Sequence, residues 1–141
     1  MLITFNQGIN AAAVLGDDLA ANGSRITVLL ERVGGRALSE ARPIAGAQFQ
    51  TLFSHLNIVG EFIFTATQTF PSMDAALTYF FTQYAMLGTQ DQLSLLWTGS
   101  QWFFNNSVLT AVERAPSSEG VKLAVRYTFQ ITKPTSTSND L

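Results

Sequence analysis

The sequence predicts a mainly β protein of the α+β kind: an antiparallel β-sandwich or barrel with one packed α-helix. Three observations lead there. Residues 121–132 alternate without a fault, with Val121, Leu123, Val125, Tyr127, Phe129 and Ile131 on one side and Lys122, Ala124, Arg126, Thr128, Gln130 and Thr132 on the other. That is the period of an antiparallel strand with one face on the core. Residues 57–67 alternate as well, with Ile58, Gly60, Phe62, Phe64 and Ala66 facing the core. Only residues 72–87 carry a capped pattern at helical spacing. Several strands with a single helix fit two packed β layers or one closed sheet.

The elements follow in order. Residues 2–5 form a short apolar run ended by Asn6-Gln7-Gly8, which predicts an edge strand and a turn. The Ala-rich stretch 9–21 fits a loop or one short helix, and Asn22-Gly23 marks a turn. Residues 25–33 predict a strand around the β-rich run Ile26-Thr27-Val28-Leu29-Leu30. Gly34-Gly35 ends it, and a long hairpin or loop of mixed charge spans about 33–48. After the strand 57–67, Ser72 is a good N-cap and Asp74 suits the positive end of the helix dipole. Gly88 closes the helix. Its predicted buried stripe is Met73, Leu77, Phe80, Tyr84 and Leu87, with Ala76 beside it and Tyr79 and Met86 on the outer half. Residues 92–97 and 101–104 read as strands around the turn Thr98-Gly99-Ser100, with Asn105-Asn106 breaking or bulging the second. Residues 108–114 continue the alternation, and 116–118 form a loop before the strand 121–132. A polar tail covers 133–141, so residues 1–132 are expected to form one domain.

Charge is scarce and unevenly placed. From Pro43 to Val112 the only charged residues are Glu61, Asp74 and Asp91, while thirteen of the sixteen aromatics fall in that span. A monomeric domain usually covers itself with charged side chains. Half of this chain must instead use Thr, Ser, Gln and Asn, or lie against other protein. The basic residues are interleaved with acids, which argues against neutralising a run of phosphates. No run reaches the length of a membrane-spanning helix, and the first residues lack the basic start of a signal peptide, so a soluble protein made in the cytoplasm is expected.

Catalytic patterns are equally scarce. With no cysteine, disulfides and thiolate chemistry are out. His55 is the only histidine and sits in an apolar setting, where a triad or zinc site would need partners. Asp17-Asp18 is the only acidic pair, and loop carboxylates of this kind usually face water. The glycines form no phosphate-binding fingerprint. No enzyme, cofactor or metal site is therefore expected. Trp97, Trp102, Phe103 and Phe104 flank the tight turn; alternation sends Trp102 and Phe104 to one face and Phe103 to the other. The expected subunit contacts are Tyr79, Met86 and Phe103 on the outer faces, with Arg32, Arg36, Glu40 and Arg42 in the charged segment.

The strand 57–67, the capped helix 72–87 and the strands 92–97, 101–114 and 121–132 together resemble the tail-tube fold of long-tailed bacteriophages, shared by tube, distal-tail and tail-completion proteins. That resemblance implies a β-sandwich flanked by a helix, with residues 25–48 as the long loop that touches neighbouring subunits or rings. It implies a virion structural protein that assembles in the host cytoplasm into a ring, commonly a hexamer. Its partners would be its own copies and other tail proteins, with DNA passing through the lumen unbound and no membrane involved. The stretch 9–21 has no counterpart in that fold. A small-ligand-binding β-barrel with an aromatic interior is the other reading.

Overall fold

Alternating sequence and β-branched or aromatic residues decide where the strands form. A computed structural model describes residues 1–5, 13–21, 25–38, 57–116 and 118–136. Its elements are β1 (Leu2–Phe5), β2 (Ala13–Asp17), β3 (Thr27–Leu38), β4 (Asn57–Thr69), α1 (Met73–Tyr84), β5 (Gln90–Trp97), β6 (Ser100–Arg114), β7 (Lys122–Ile131) and β8 (Thr135–Ser136). The protein is mainly β, as its alternation predicts, with antiparallel pairing between every two neighbouring strands.

The strand order is β2-β1-β5-β6-β7-β4-β3, with β8 also on β6. The two ends of this order meet. Asp17 and Ile26 exchange both backbone hydrogen bonds, at 2.9 and 3.0 Å. The Asp18 carboxylate accepts from the Val28 amide at 2.8 Å and extends the contact. The sheet thus closes on itself at one bridge. Closure brings β2 so near β3 that a Cβ on Gly16 would lie 2.2 Å from Cγ2 of Val28. Gly60 is a second close approach, where a Cβ would lie 2.8 Å from the Gly34 carbonyl oxygen.

β6 turns the corner of the sheet. Its first half pairs with β5 as far as Val108, and its second half pairs with β7. The register shifts in between, where Asn106 takes a left-handed φ of 60°, so the bulge expected at Asn105-Asn106 is present inside one long strand. Beyond Val108 no β5 residue flanks β6. Here α1 and its exit turn come alongside: Gly88 donates to the Leu109 carbonyl at 2.9 Å, and Leu109 donates to Thr89 at 3.2 Å. The Ser72 hydroxyl accepts from the Ala75 amide at 3.1 Å and caps the helix as its sequence predicts. Regular helix ends at Tyr84, short of the expected Leu87, and residues 85–88 finish as tight turns.

Aromatic rings fill the interior. Phe5, Phe62, Phe64, Tyr127 and Phe129 are fully buried. Phe64 stacks on Tyr127 at 5.1 Å, Phe5 meets Phe129 edge-on at 5.0 Å, and Phe62 meets Phe104 edge-on at 5.5 Å. Such pairs add about 0.5–1.5 kcal/mol beyond their buried area.

Four expectations from the sequence need correction. β1 is not an edge strand, because it pairs with both β2 and β5. Within the described part of the stretch 9–21, residues 13–17 form β2 instead of a loop or helix, because pairing with β1 and closure onto β3 supply their hydrogen bonds, and residues 18–21 form a turn. β3 does not stop at Val33; it runs through Gly34-Gly35 to Leu38, opposite Asn57. Residues 33–38 of the expected loop are therefore strand, and its remainder lies outside the described residues. Part of the polar tail is also ordered: β8 extends the β7 register along β6, pairing Thr135 with Phe103 and Ser136 with Trp102.

Two stability changes follow. Gly16→Ala should cost about 1–3 kcal/mol by overpacking, with part of the loss restored by Val28→Ala in the same chain. Phe64→Ala should cost about 3–5 kcal/mol. Urea denaturation followed by tryptophan fluorescence measures both.

Candidate subunit interface

α1 decides which surface the protein presents. On its inner side Ala76, Gln83 and, just past its end, Met86 are buried, and Tyr79, Phe80 and Leu87 pack against the core. On its outer side Met73 (48%), Leu77 (41%), Phe81 (63%) and Tyr84 (52%) stay exposed. These four recur at intervals of four, four and three residues, so they form one stripe along the helix. The only ionisable groups in the helix are Asp74, Tyr79 and Tyr84.

This reverses part of the sequence reading. Tyr79 and Met86, expected as subunit contacts, face the core, whereas Met73, Leu77 and Tyr84, expected in the core, face outward. Both stripes recur at helical spacing, and one residue of phase rotates a helix by about 100°. The helix seats on β6 and β7 with Gln83 inward, which composition alone disfavours. The Tyr79 ring lies 5.1 Å from Phe70, and its hydroxyl interacts with that of Tyr127 across the seam. Neither hydroxyl makes a hydrogen bond of ordinary geometry. Burial raises both phenols above the usual tyrosine range, Tyr127 well above it, with the neighbouring Tyr79 adding to the effect.

Paired charges lie elsewhere, on β3, β4, β6 and β7. Arg32 pairs with Glu61 at 3.2 Å. Arg126 reaches Glu31 at 2.5 Å and Glu113 at 3.5 Å, which ties three strands together. The hydrogen bond and charge of Glu31 raise the Arg126 guanidinium further above its ordinary range. These groups are largely solvated, and exposed pairs of this kind add little to stability. Arg32, an expected subunit contact, thus has a partner within its own chain while remaining on the surface. The backbone of Arg36 pairs with Val59. Glu40, Arg42 and His55 lie outside the described residues.

β3 and β4 run past the rest of the sheet. The last β4 residue paired with β7 is Gly60, opposite Ile131. Residues 36–38 of β3 and 57–59 of β4 pair with each other beyond that point, so the two strands project as an arm. A cleft of about 600 Å³ opens at its root, lined among others by Arg32, Val33, Gly35, Glu61, Thr110 and Gln130. Among the described residues that line it, the Arg32–Glu61 pair is the only charged feature.

A second exposed apolar patch sits at the β5–β6 hairpin. Thr98 and Gly99 both take left-handed φ, 50° and 83°, as a tight two-residue hairpin turn requires. Leu96, Trp97 and Trp102 are exposed around it. Trp97 is therefore on the surface. Phe104 is buried on the face it shares with Trp102, and Phe103 lies half-buried between Ser94 of β5 and Thr135 of β8. The alternation across Trp102, Phe103 and Phe104 is as expected.

No protein-family model matches this chain, and its sequence shows no significant similarity to curated proteins.

Within the described residues, no group of three or more His, Cys, Asp or Glu side chains could hold a metal ion. Asp17 and Asp18 serve the fold: Asp17 Oδ1 accepts from the Leu19 amide at 3.2 Å, and Asp18 holds Val28. No described helix is long and apolar enough to cross a membrane. What the geometry offers is contact surface.

The buried phenols set a pH dependence. Their folded pKa values lie above the unfolded one, so their contribution is complete below about pH 10. It is lost as pH rises from there through the folded values. Thermal melts in an alkaline series should show the midpoint falling above about pH 10, and the fall should be shallower in Tyr127→Phe.

Proposed function

We propose that this chain is a non-enzymatic structural protein of a phage-type tail that assembles with its own copies into a ring. The observation that carries the reading is the outer stripe of α1, Met73, Leu77, Phe81 and Tyr84, an exposed apolar face on a helix whose other face is already seated. Exposed apolar patches of this kind mark interaction sites. The β5–β6 hairpin, with Leu96, Trp97 and Trp102, supplies a second patch of different shape. Contact between two different patches is heterologous, and heterologous contacts repeat around a ring or along a filament. In this reading the stripe of one copy meets the hairpin of the next.

The projecting β3–β4 arm supports the same reading, because the tail-tube fold carries a long hairpin between early strands that touches neighbours. Ring size, position in a virion, other tail proteins as partners and passage of DNA without specific binding all belong to this proposal. The ligand-binding alternative finds less support, since Phe5, Phe62, Phe64, Tyr127 and Phe129 fill the interior between the strands.

Light scattering over a concentration series tests the assembly. The wild type should form a discrete multiple of 15.4 kDa. Leu77→Asp and Phe81→Glu should each shift it to monomer, and Trp97→Ser should weaken it. Because the stripe is exposed, the monomeric variants should keep their stability within about 0.5 kcal/mol. A monomer at every wild-type concentration would sink the ring reading and favour the ligand-binding barrel.

A further inference from the structure

The outer edge of β3 carries backbone groups that the fold leaves unused. Ile26 turns both its N–H and its C=O to Asp17. Direction alternates along an antiparallel strand, so Thr27 turns its own groups to β4, opposite Thr67. β4 keeps its alternation from Thr67 to Asn57, because the bulge at Glu31 lies on β3. Glu61, Val59 and Asn57 therefore face β3, and their partners there are Gly34, Arg36 and Leu38. The residues in between, Val33, Gly35 and Ala37, turn their N–H and C=O away from β4. No described residue pairs with them on that side.

This edge is open to a partner. Val33, Gly34 and Gly35 are exposed, and the two glycines put no side chain in the path of an approaching strand. β3 contains no proline, so each outward residue keeps its N–H. The edge leads into the arm, where β4 has no β7 beside it beyond Gly60. A ribbon of two strands is marginal in water and gains from a further strand.

A row of alternating donors and acceptors fixes the chemistry of what covers it: an extended strand with the same spacing. The edge is its own complement when reversed. A twofold axis at Gly35 sets Gly35 against Gly35, and Val33 of each copy against Ala37 of the other. We propose that the β3 edge of one copy pairs antiparallel with the β3 edge of a second copy. The contact is isologous and uses neither the α1 stripe nor the β5–β6 hairpin. It rests on the ring reading for its setting, where it joins two rings through their arms. A single arm contact is small, and several act together once the copies are held in a ring.

Hydrogen exchange read residue by residue, with light scattering, tests it. In the wild-type assembly the amides of Val33, Gly35 and Ala37 should exchange slowly. In monomeric Leu77→Asp they should exchange freely, while those of Gly34 and Arg36, bonded to β4, should change little. Gly35→Pro removes an N–H that β4 does not use, which an edge position tolerates. It should halve the mass of the assembly. Free exchange of the three amides in the wild-type assembly overturns the pairing, as does a mass unchanged in Gly35→Pro; either result leaves the ring standing. Slow exchange in the monomer also overturns it, by putting the chain's own residues on that edge. A wild-type dimer that survives Leu77→Asp but not Gly35→Pro keeps the pairing and rejects the ring. A wild type monomeric at every concentration rejects both. If Gly35→Pro does not fold, the exchange comparison still decides.

Discussion

The fold depends on one narrow contact, the bridge at which Asp17 and Ile26 close the sheet. Seven strands in a row leave two open edges, and an open edge exposes unpaired amides and carbonyls. Two backbone hydrogen bonds and the Asp18 side chain join those edges here. The join places Gly16 over Val28 and wraps the sheet around its aromatic rings. Beyond the join the edge of β3 carries a bulge at Glu31, then Arg32 and two glycines. A bulge and charge on an edge discourage uncontrolled pairing, so such an edge permits contacts of selected geometry only.

Closure by itself does not finish the core. β5 ends its pairing at Val108, and the second half of β6 has β7 on one side only. α1 covers that gap. It does so with an inner face that mixes Ala76, Phe80, Met86 and Leu87 with the polar Tyr79 and Gln83, and an exposed side on which the apolar stripe lies beside Asp74, Thr78 and Thr82. A helix seated this way is stabilised by fewer apolar contacts than its composition allows, and it holds an apolar surface in reserve. The proposed subunit contact is a consequence of that orientation.

Much of the fold was legible in the sequence. The strands at 57–67 and 121–132, the hairpin turn at Thr98-Gly99, the bulge at Asn105-Asn106 and the Ser72 cap all stand where local signals put them. Period-2 alternation, turn residues and capping side chains act over a few residues, so they survive whatever the rest of the chain does. β2 and the second half of β3 were not legible. Ala13–Asp17 carries no strand signal of its own, and Gly34-Gly35 carries a stop signal. Both are strands because a partner in register supplies the hydrogen bonds, and Gly35 lies opposite Gly60 where the backbones come close.

The candidate interface shows the same division more sharply. The sequence by itself determined a mainly β chain with one helix, a charge-poor aromatic half, and a helix apolar on more than one side. It could not determine which side of that helix faces the core. Helical spacing is satisfied by either stripe, and the choice is made by where β6 is left uncovered and where the Tyr127 hydroxyl sits, which are facts about distant strands. Only the tertiary structure turned Tyr79 and Met86 inward and Leu77, Phe81 and Tyr84 outward. Periodicity is a local property, whereas the phase of a helix is fixed by what it packs against.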